Sequence, residues 1–267
     1  MIDVYQAIIL ALLQGLTEFL PVSSSAHLLF PSLVLGWADQ GLAFDVGVHV
    51  GTLLAVLLYY RDDLVRMANR WLHALAGEPA CEDSRMVWYL LLATVPAGLA
   101  GLMMGDLIEE NLRTLPIIAT TTLVFGVLLG IADRRVVSTS RERELGLGIA
   151  MIIGFAQALA LVPGVSRSGI TMTAALLLGM GRQASARFSF LLSIPIIASA
   201  GLLKVSESMT RDASVDWLTM GVGVAVSGIS AYACIAAFLR LLDKVGFMPF
   251  VYYRIALAAA LYLLWLL

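Results

Sequence analysis

Apolar residues fill this chain in long runs that polar residues interrupt only briefly. Residues 4–20 and 26–35 form two apolar segments separated by Pro21-Val22-Ser23-Ser24-Ser25, and residues 44–60, 86–105 and 116–132 form three more. Residues 145–162 then run into Pro163-Gly164-Val165-Ser166-Arg167-Ser168-Gly169 and a short segment to Met180. Residues 188–203, 217–239 and 249–267 complete the pattern. None of the runs alternates with the period of a membrane strand, and a bilayer satisfies backbone groups only in helices or closed barrels. The predicted class is therefore all-α, a polytopic membrane protein.

A ten-residue helix reaches only about 15 Å, half of a bilayer's hydrocarbon core. Residues 4–35 are accordingly expected to be a re-entrant hairpin with its tip at 21–25, and residues 145–180 a second one. The other six segments are expected to be full spans. Each half then reads hairpin, span, span, span, with Ser24 aligned to Ser166, Phe44 to Phe188 and Pro116 to Pro249. The whole of 1–267 is one membrane domain built from two repeats, one about 1–135 and the other about 144–267. Three spans per half make the repeats inverted in topology, and broken helices of inverted repeats meet near the midplane.

Charge sharpens this arrangement. With both hairpins re-entrant, one side collects Arg61, Arg66, Arg70, Arg85, Arg134, Arg135, Arg141, Arg143, Arg182, Arg187, Arg240 and Lys244, and the other only Arg113, Lys204 and Arg211. Single crossings weaken that split, so the positive-inside rule favours the hairpins and places both termini outside. Arg61 to Arg85 are expected on a loop, and for Arg254 snorkelling to the inner interface explains the charge at least as well as contact with substrate. The first basic residue is Arg61, so no basic n-region of a cleaved signal peptide precedes the first apolar segment.

Composition agrees. Of 267 residues 60% are hydrophobic and 13% charged, mean hydropathy is +0.90, and the net charge of −2 offers nothing to nucleic acid. The two cysteines, Cys81 and Cys234, make neither a disulfide framework nor a metal-ligand spacing.

Against this background Gln14, Glu18, Ser23, Ser24, Ser25 and His27 stand out, because an ionised group in hydrocarbon is costly and marks a functional site by default. Taken singly they have plain structural explanations: serines cap helices, and a histidine can be satisfied in a core. Gln14 and Glu18 lie four apart on one helix face and can direct oxygens to a divalent cation, Mg²⁺ or Ca²⁺. Ser24 and His27, three apart, suit an imidazole acting on a hydroxyl or a leaving group. In the second tip Arg167 sits between Ser166 and Ser168 where a helix restarts, and Thr171 follows. Free N–H groups, the helix dipole and a guanidinium suit phosphate, although Arg167 could instead pair with Glu18. Asp45 and His49, four apart on the next span, either support the site or take part in it.

The pattern Gln14-x-x-x-Glu18, then Phe19-Leu20-Pro21-Val22-Ser23-Ser24-x-x-His27, together with Pro163-Gly164-x-Ser166-Arg167-Ser168-x-x-Thr171, closely resembles the bacterial undecaprenyl-diphosphatase family, linked to bacitracin resistance. The resemblance continues through 188–192 and 249–254. It implies a multi-pass enzyme of the bacterial inner membrane, dependent on a divalent cation. Such an enzyme converts undecaprenyl diphosphate to undecaprenyl phosphate, recycling the carrier lipid of cell-wall synthesis through a site open to the periplasmic or outer face. Glu18 and Gln14 then serve the metal, Ser24, His27 and Glu18 the chemistry, and Arg167, Ser166, Ser168, Thr171 and Ser23 the substrate. Whether Ser24 or water attacks stays open, and a homodimer is compatible with the reading. Two departures are visible: Gln14 stands where many relatives carry Glu, and Ala26 replaces a common Gly. The competing function is a lipid-phosphate transporter or flippase on the same inverted repeat, since fold alone does not decide chemistry.

Overall fold

The computed structural model describes residues 2–38, 40–138, 144–208 and 216–266; Arg141, Arg143 and Arg211 of the charge pattern lie outside them. The described residues form eleven α-helices and one 3₁₀ turn, with no strand among them. Five helices are long and apolar enough to cross a membrane: α5 Glu82–Leu112, α6 Leu115–Ser138, α9 Arg182–Ser208, α10 Trp217–Val245 and α11 Met248–Leu266. A sixth is reached if α3 (Leu42–Tyr59) and α4 (Arg61–Leu75), bent by 75° at Tyr60, are taken as one.

The remaining helices are short and come in two pairs. The first is α1 (Val4–Thr17) and α2 (Ser24–Leu35); the second is α7 (Leu147–Ala158), continued by the 3₁₀ turn Leu159–Leu161, and α8 (Arg167–Leu177). Local chemistry explains the breaks. Asp3 starts α1 by accepting from the Gln6 amide at 2.7 Å while Gln6 returns a bond to its own backbone. Pro21 and Pro163 carry no N–H and disfavour helical geometry at the preceding residue, so they work against helix resuming within the breaks, although α2, α5 and α9 run through Pro31, Pro96 and Pro195. Ser23 and Ser166 then take left-handed backbone, φ 72° and 71°, immediately before α2 and α8. They are the only non-glycine residues with positive φ among the described residues. The matched position in the two breaks is thus Ser23 with Ser166, one residue earlier than the Ser24 pairing expected from sequence.

Packing brings the two breaks together. α1 lies on α10, where Gly15 leaves no room for a Cβ against Ser230 Oγ and the Ser227 carbonyl, and α7 lies on α5, where Gly154 meets the Ala93 backbone. α3 packs between α10 and α9, and α6 between α11 and α8. Phe19, fully buried beside Glu18, stands edge-on to Phe190 at 5.2 Å, and the aromatic core continues through Phe238 and Phe247.

Several expectations change. The segment after Tyr60 is helix α4 rather than a loop: Met67 points to the core, Val65, Leu72 and Leu75 are exposed, and Arg66 and Arg70 fall on a third face. The acidic stretch around Asp106 to Glu110 forms the last turns of α5, and Arg134 and Arg135 lie within α6. On α4, burial tends to raise the Asp63 carboxyl, but Arg66 at 2.6 Å and Arg187 at 2.9 Å prevail and hold it below its ordinary value.

Candidate active site

Glu18 ends α1 at the first break and is only 8% exposed. Its Oε1 accepts from Arg167 Nη2 at 2.8 Å, and its Oε2 accepts from Ser24 Oγ and from Gln14 Nε2, both at 3.0 Å. The acid of one break therefore holds the cation of the other and the first hydroxyl of α2. Arg167 spends a second N–H on the Ser189 carbonyl at 3.1 Å, and its guanidinium lies 5.9 Å above the Phe19 ring. A buried ion pair of this kind is weak evidence for stability, because both charges are desolvated to form it. The Arg167 side chain keeps 14% exposure and that of Glu18 7%, so the pair is largely but not completely shielded.

The other tip hydroxyls are turned inward. Ser168 Oγ donates to the Leu20 carbonyl at 2.8 Å, stitching the second break to the first. Ser166 Oγ caps α8 by accepting from the Gly169 amide at 3.1 Å. Thr171 Oγ1 lies 2.9 Å from the Arg167 carbonyl and 2.7 Å from Ser189 Oγ, and so braces the turn that carries Arg167. Ser23 is buried, with Oγ 3.2 Å from Ser25 Oγ. Of the residues expected at the site, Gln14, Glu18, Ser24 and Arg167 meet side chain to side chain; Ser23, Ser166, Ser168 and Thr171 shape the backbone around them.

His27 is not placed on Ser24. Its Nδ1 is 2.7 Å from the Ser23 carbonyl, which can only accept, so Nδ1 carries the proton; Nε2 then accepts from Tyr253 O–H at 2.6 Å. Both ring nitrogens are engaged, and the imidazole braces the left-handed Ser23 turn. The imidazole nearest the acid is His49 on α3, with Nε2 3.8 Å from Glu18 Oε2 and Nδ1 2.7 Å from the Asp45 carbonyl.

Arg254 corrects the sequence reading most plainly. It is fully buried, not drawn to an interface. Nε donates to the Thr122 carbonyl at 3.0 Å, Nη1 reaches Pro21 at 3.3 Å and Val165 at 3.1 Å, and Nη2 donates to Gly164 at 2.9 Å. One guanidinium fork thus ties both breaks to α6, satisfying carbonyls that the interrupted helices leave open. The signal for it was a lone charge inside the apolar run 249–267. Tyr253 gave no signal of its own.

Glu18 and Gln14 offer hard oxygen donors suited to Mg²⁺ or Ca²⁺. Gln14 is fully buried and its Oε1 has no hydrogen-bond partner, which is the condition of an oxygen awaiting an acceptor of its lone pairs. Among the described residues no three His, Cys, Asp or Glu side chains converge as a metal cluster, so a cation here would be held by few protein donors together with substrate oxygens.

Helical segments too apolar for water, with a carboxylate, a hydroxyl and a guanidinium gathered where two of them break, define a multi-pass helical membrane protein with a charged cluster between its helices. The chain belongs to the family described as bacitracin resistance protein BacA, whose model matches residues 7–260. It is 54% identical over 261 residues to an undecaprenyl-diphosphatase of Teredinibacter turnerae, covering 98% of this chain and 99% of that one. Similar proteins of the same name come from Hahella chejuensis, at 56% identity over 98% of this chain and 97% of the relative, and Colwellia psychrerythraea, at 56% over 96% and 97%.

Proposed function

We propose that this protein is a membrane phosphatase that hydrolyses undecaprenyl diphosphate to undecaprenyl phosphate and inorganic phosphate. The observation that carries the reading is the single carboxylate of Glu18 joining Ser24 Oγ at 3.0 Å to Arg167 at 2.8 Å. A carrier needs anion ligands; a hydroxyl hydrogen-bonded to a buried base is what phosphoryl transfer needs. Arg167, released from Glu18, grips two oxygens of the terminal phosphate with its planar fork. Glu18 Oε2 takes the Ser24 proton as Ser24 Oγ attacks phosphorus, or takes a proton of the attacking water relayed through Ser24 Oγ, which receives the water's proton as it passes on its own. The P–O bond to the lipid phosphate breaks and inorganic phosphate leaves, directly or after water cleaves a phosphoserine. Mg²⁺ or Ca²⁺ held by Glu18 and Gln14 supplies charge neutralisation when bound.

The chain is one membrane domain of two inverted repeats, 1–135 and 144–267, with six spans and two re-entrant hairpins. The left-handed serines at both breaks and the parallel packing of α1 on α10 and α7 on α5 support this. The arginine distribution supports a plasma-membrane orientation with both termini and the site mouth outside. Membrane lipid surrounds the substrate chain, and a homodimer is allowed by the broad exposed apolar face of α5.

Purified protein given a prenyl diphosphate tests the reading through phosphate release, with and without chelator. Metal-dependent release that disappears in Glu18→Gln is expected. No release, or release unchanged in Ser24→Ala and Arg167→Ala alike, overturns it.

A further inference from the structure

His49 has the geometry of a metal ligand rather than of a hydrogen-bond partner. Its Nδ1 faces the Asp45 carbonyl at 2.7 Å, and a carbonyl only accepts, so the ring proton is fixed there and Nε2 presents a lone pair. Ligating histidines are held in this way, the second nitrogen donating to a backbone carbonyl or carboxylate. Nε2 lies 3.8 Å from Glu18 Oε2, beyond hydrogen-bond range. Two donors each about 2.0–2.2 Å from one ion stand up to about 4.3 Å apart, so the gap matches an ion's width. The same Oε2 accepts from Gln14 Nε2 at 3.0 Å, so the Gln14 amide turns over to offer the ion its Oε1, which is buried and unpartnered. The His49 side chain is 37% exposed, which leaves the position reachable, whereas His27 is 7% exposed with both nitrogens engaged.

We propose, resting on the metal reading above, that His49 Nε2 is a protein donor to the divalent cation shared by Glu18 and Gln14. An imidazole beside a carboxylate and an amide oxygen makes a mixed nitrogen–oxygen site. Such a site admits first-row divalent ions, Mn²⁺ among them, beside the Mg²⁺ or Ca²⁺ of that reading, because an imidazole donor raises their affinity above that of an all-oxygen set. The cation preference is then set by α3, outside the two broken helices that carry the family's motifs.

The test uses Mn²⁺ alone on the purified full chain, without substrate. Titration by electron paramagnetic resonance gives affinity, and pulsed measurement of ¹⁴N coupling reports an imidazole on the ion. Wild type is expected to bind Mn²⁺ at least tenfold more tightly than Ca²⁺, with an imidazole coupling that changes on ¹⁵N-histidine labelling. His49→Gln is expected to lose the coupling and at least tenfold in Mn²⁺ affinity while Ca²⁺ affinity stays within about twofold. His73→Gln, on exposed α4, keeps both. His49→Asn serves if the first variant does not elute as a folded, monodisperse species, and labelling of the wild type needs no variant at all. Bound Mn²⁺ without nitrogen coupling, coupling that survives in His49→Gln, or no Mn²⁺ binding overturns the proposal. If Glu18→Gln abolishes binding but His49→Gln does not, His49 alone is wrong. Unchanged affinity in Glu18→Gln removes the metal reading itself, while phosphate release continues to judge the phosphatase.

Discussion

In the first broken helix the residue after the left-handed serine is Ser24; in the second it is Arg167. Five positions before that serine stand Glu18 and Leu161, and nine before stand Gln14 and Gln157. The backbones follow one plan: an apolar helix, a break that contains a proline, a serine at φ near 70° and a second short helix. Their chemistry is divided. One break contributes acid and hydroxyl, the other a cation and a capped helix start, and neither has a complete set. A site assembled this way exists only when the two breaks are pressed together, which is the work of Arg254, Ser168 and the Glu18–Arg167 pair.

The strongest way to break this comparison is to remove the group at the matched position on each side. Arg167→Ala is expected to lower phosphate release by at least about 10²–10³-fold, since it removes a preorganised charge at the phosphate. Arg167→Lys should also be poor because an ammonium lacks the fork. The Arg167→Ala variant also leaves Glu18 buried without its partner, costing roughly 3–5 kcal/mol in thermal unfolding; adding Glu18→Gln should restore stability without activity. Recovery of activity in that double variant would sink the division of labour.

Ser24→Ala is expected to cost at least about 10²-fold in turnover, and trapping a phosphoserine at Ser24 would establish direct attack. His27→Asn should cost no more than about tenfold, because its ring holds the Ser23 turn and does not touch Ser24. A general acid or base is worth roughly 10²–10⁴-fold, so a loss that large would return His27 to the chemistry.

Arg254→Met is expected to destabilise by at least about 3 kcal/mol, read from thermal unfolding in detergent, because four backbone carbonyls lose their donor. Arg254→Lys should recover only part, since three donors from one point cannot span both breaks and α6. Equal stability of Arg254→Met and wild type would show that the breaks hold together without it.

The smallest effect sharpens the asymmetry. Gln157 is 1% exposed and neither of its side-chain heteroatoms has a hydrogen-bond partner, yet no acid stands four residues on. Gln157→Leu is therefore expected to be neutral or stabilising by about 1 kcal/mol with full activity. Gln14→Leu at the matched position should weaken metal affinity, read by titration. Equal behaviour of the two variants would mean that the buried amides serve packing alone.

What could be read from residue order alone were the properties that neighbours along the chain decide. Run lengths and the missing alternation gave an all-helical membrane protein, Pro21 and Pro163-Gly164 gave the breaks, and charges stranded in apolar sequence gave Glu18 and Arg167. Even the Glu18–Arg167 pairing was visible as an alternative, because two buried opposite charges seek each other. Packing alone decided which imidazole approaches the acid. His27 and His49 were both eligible, and the choice depends on the rotation of α2 and α3 about their axes, which contacts with α10 and α11 set. The same holds for Arg254. From its own segment it looked like an interfacial cation, because nothing within α11 announces the open carbonyls of Pro21, Gly164 and Val165. Those acceptors lie far away in sequence, and only the folded bundle brings them within reach of one guanidinium.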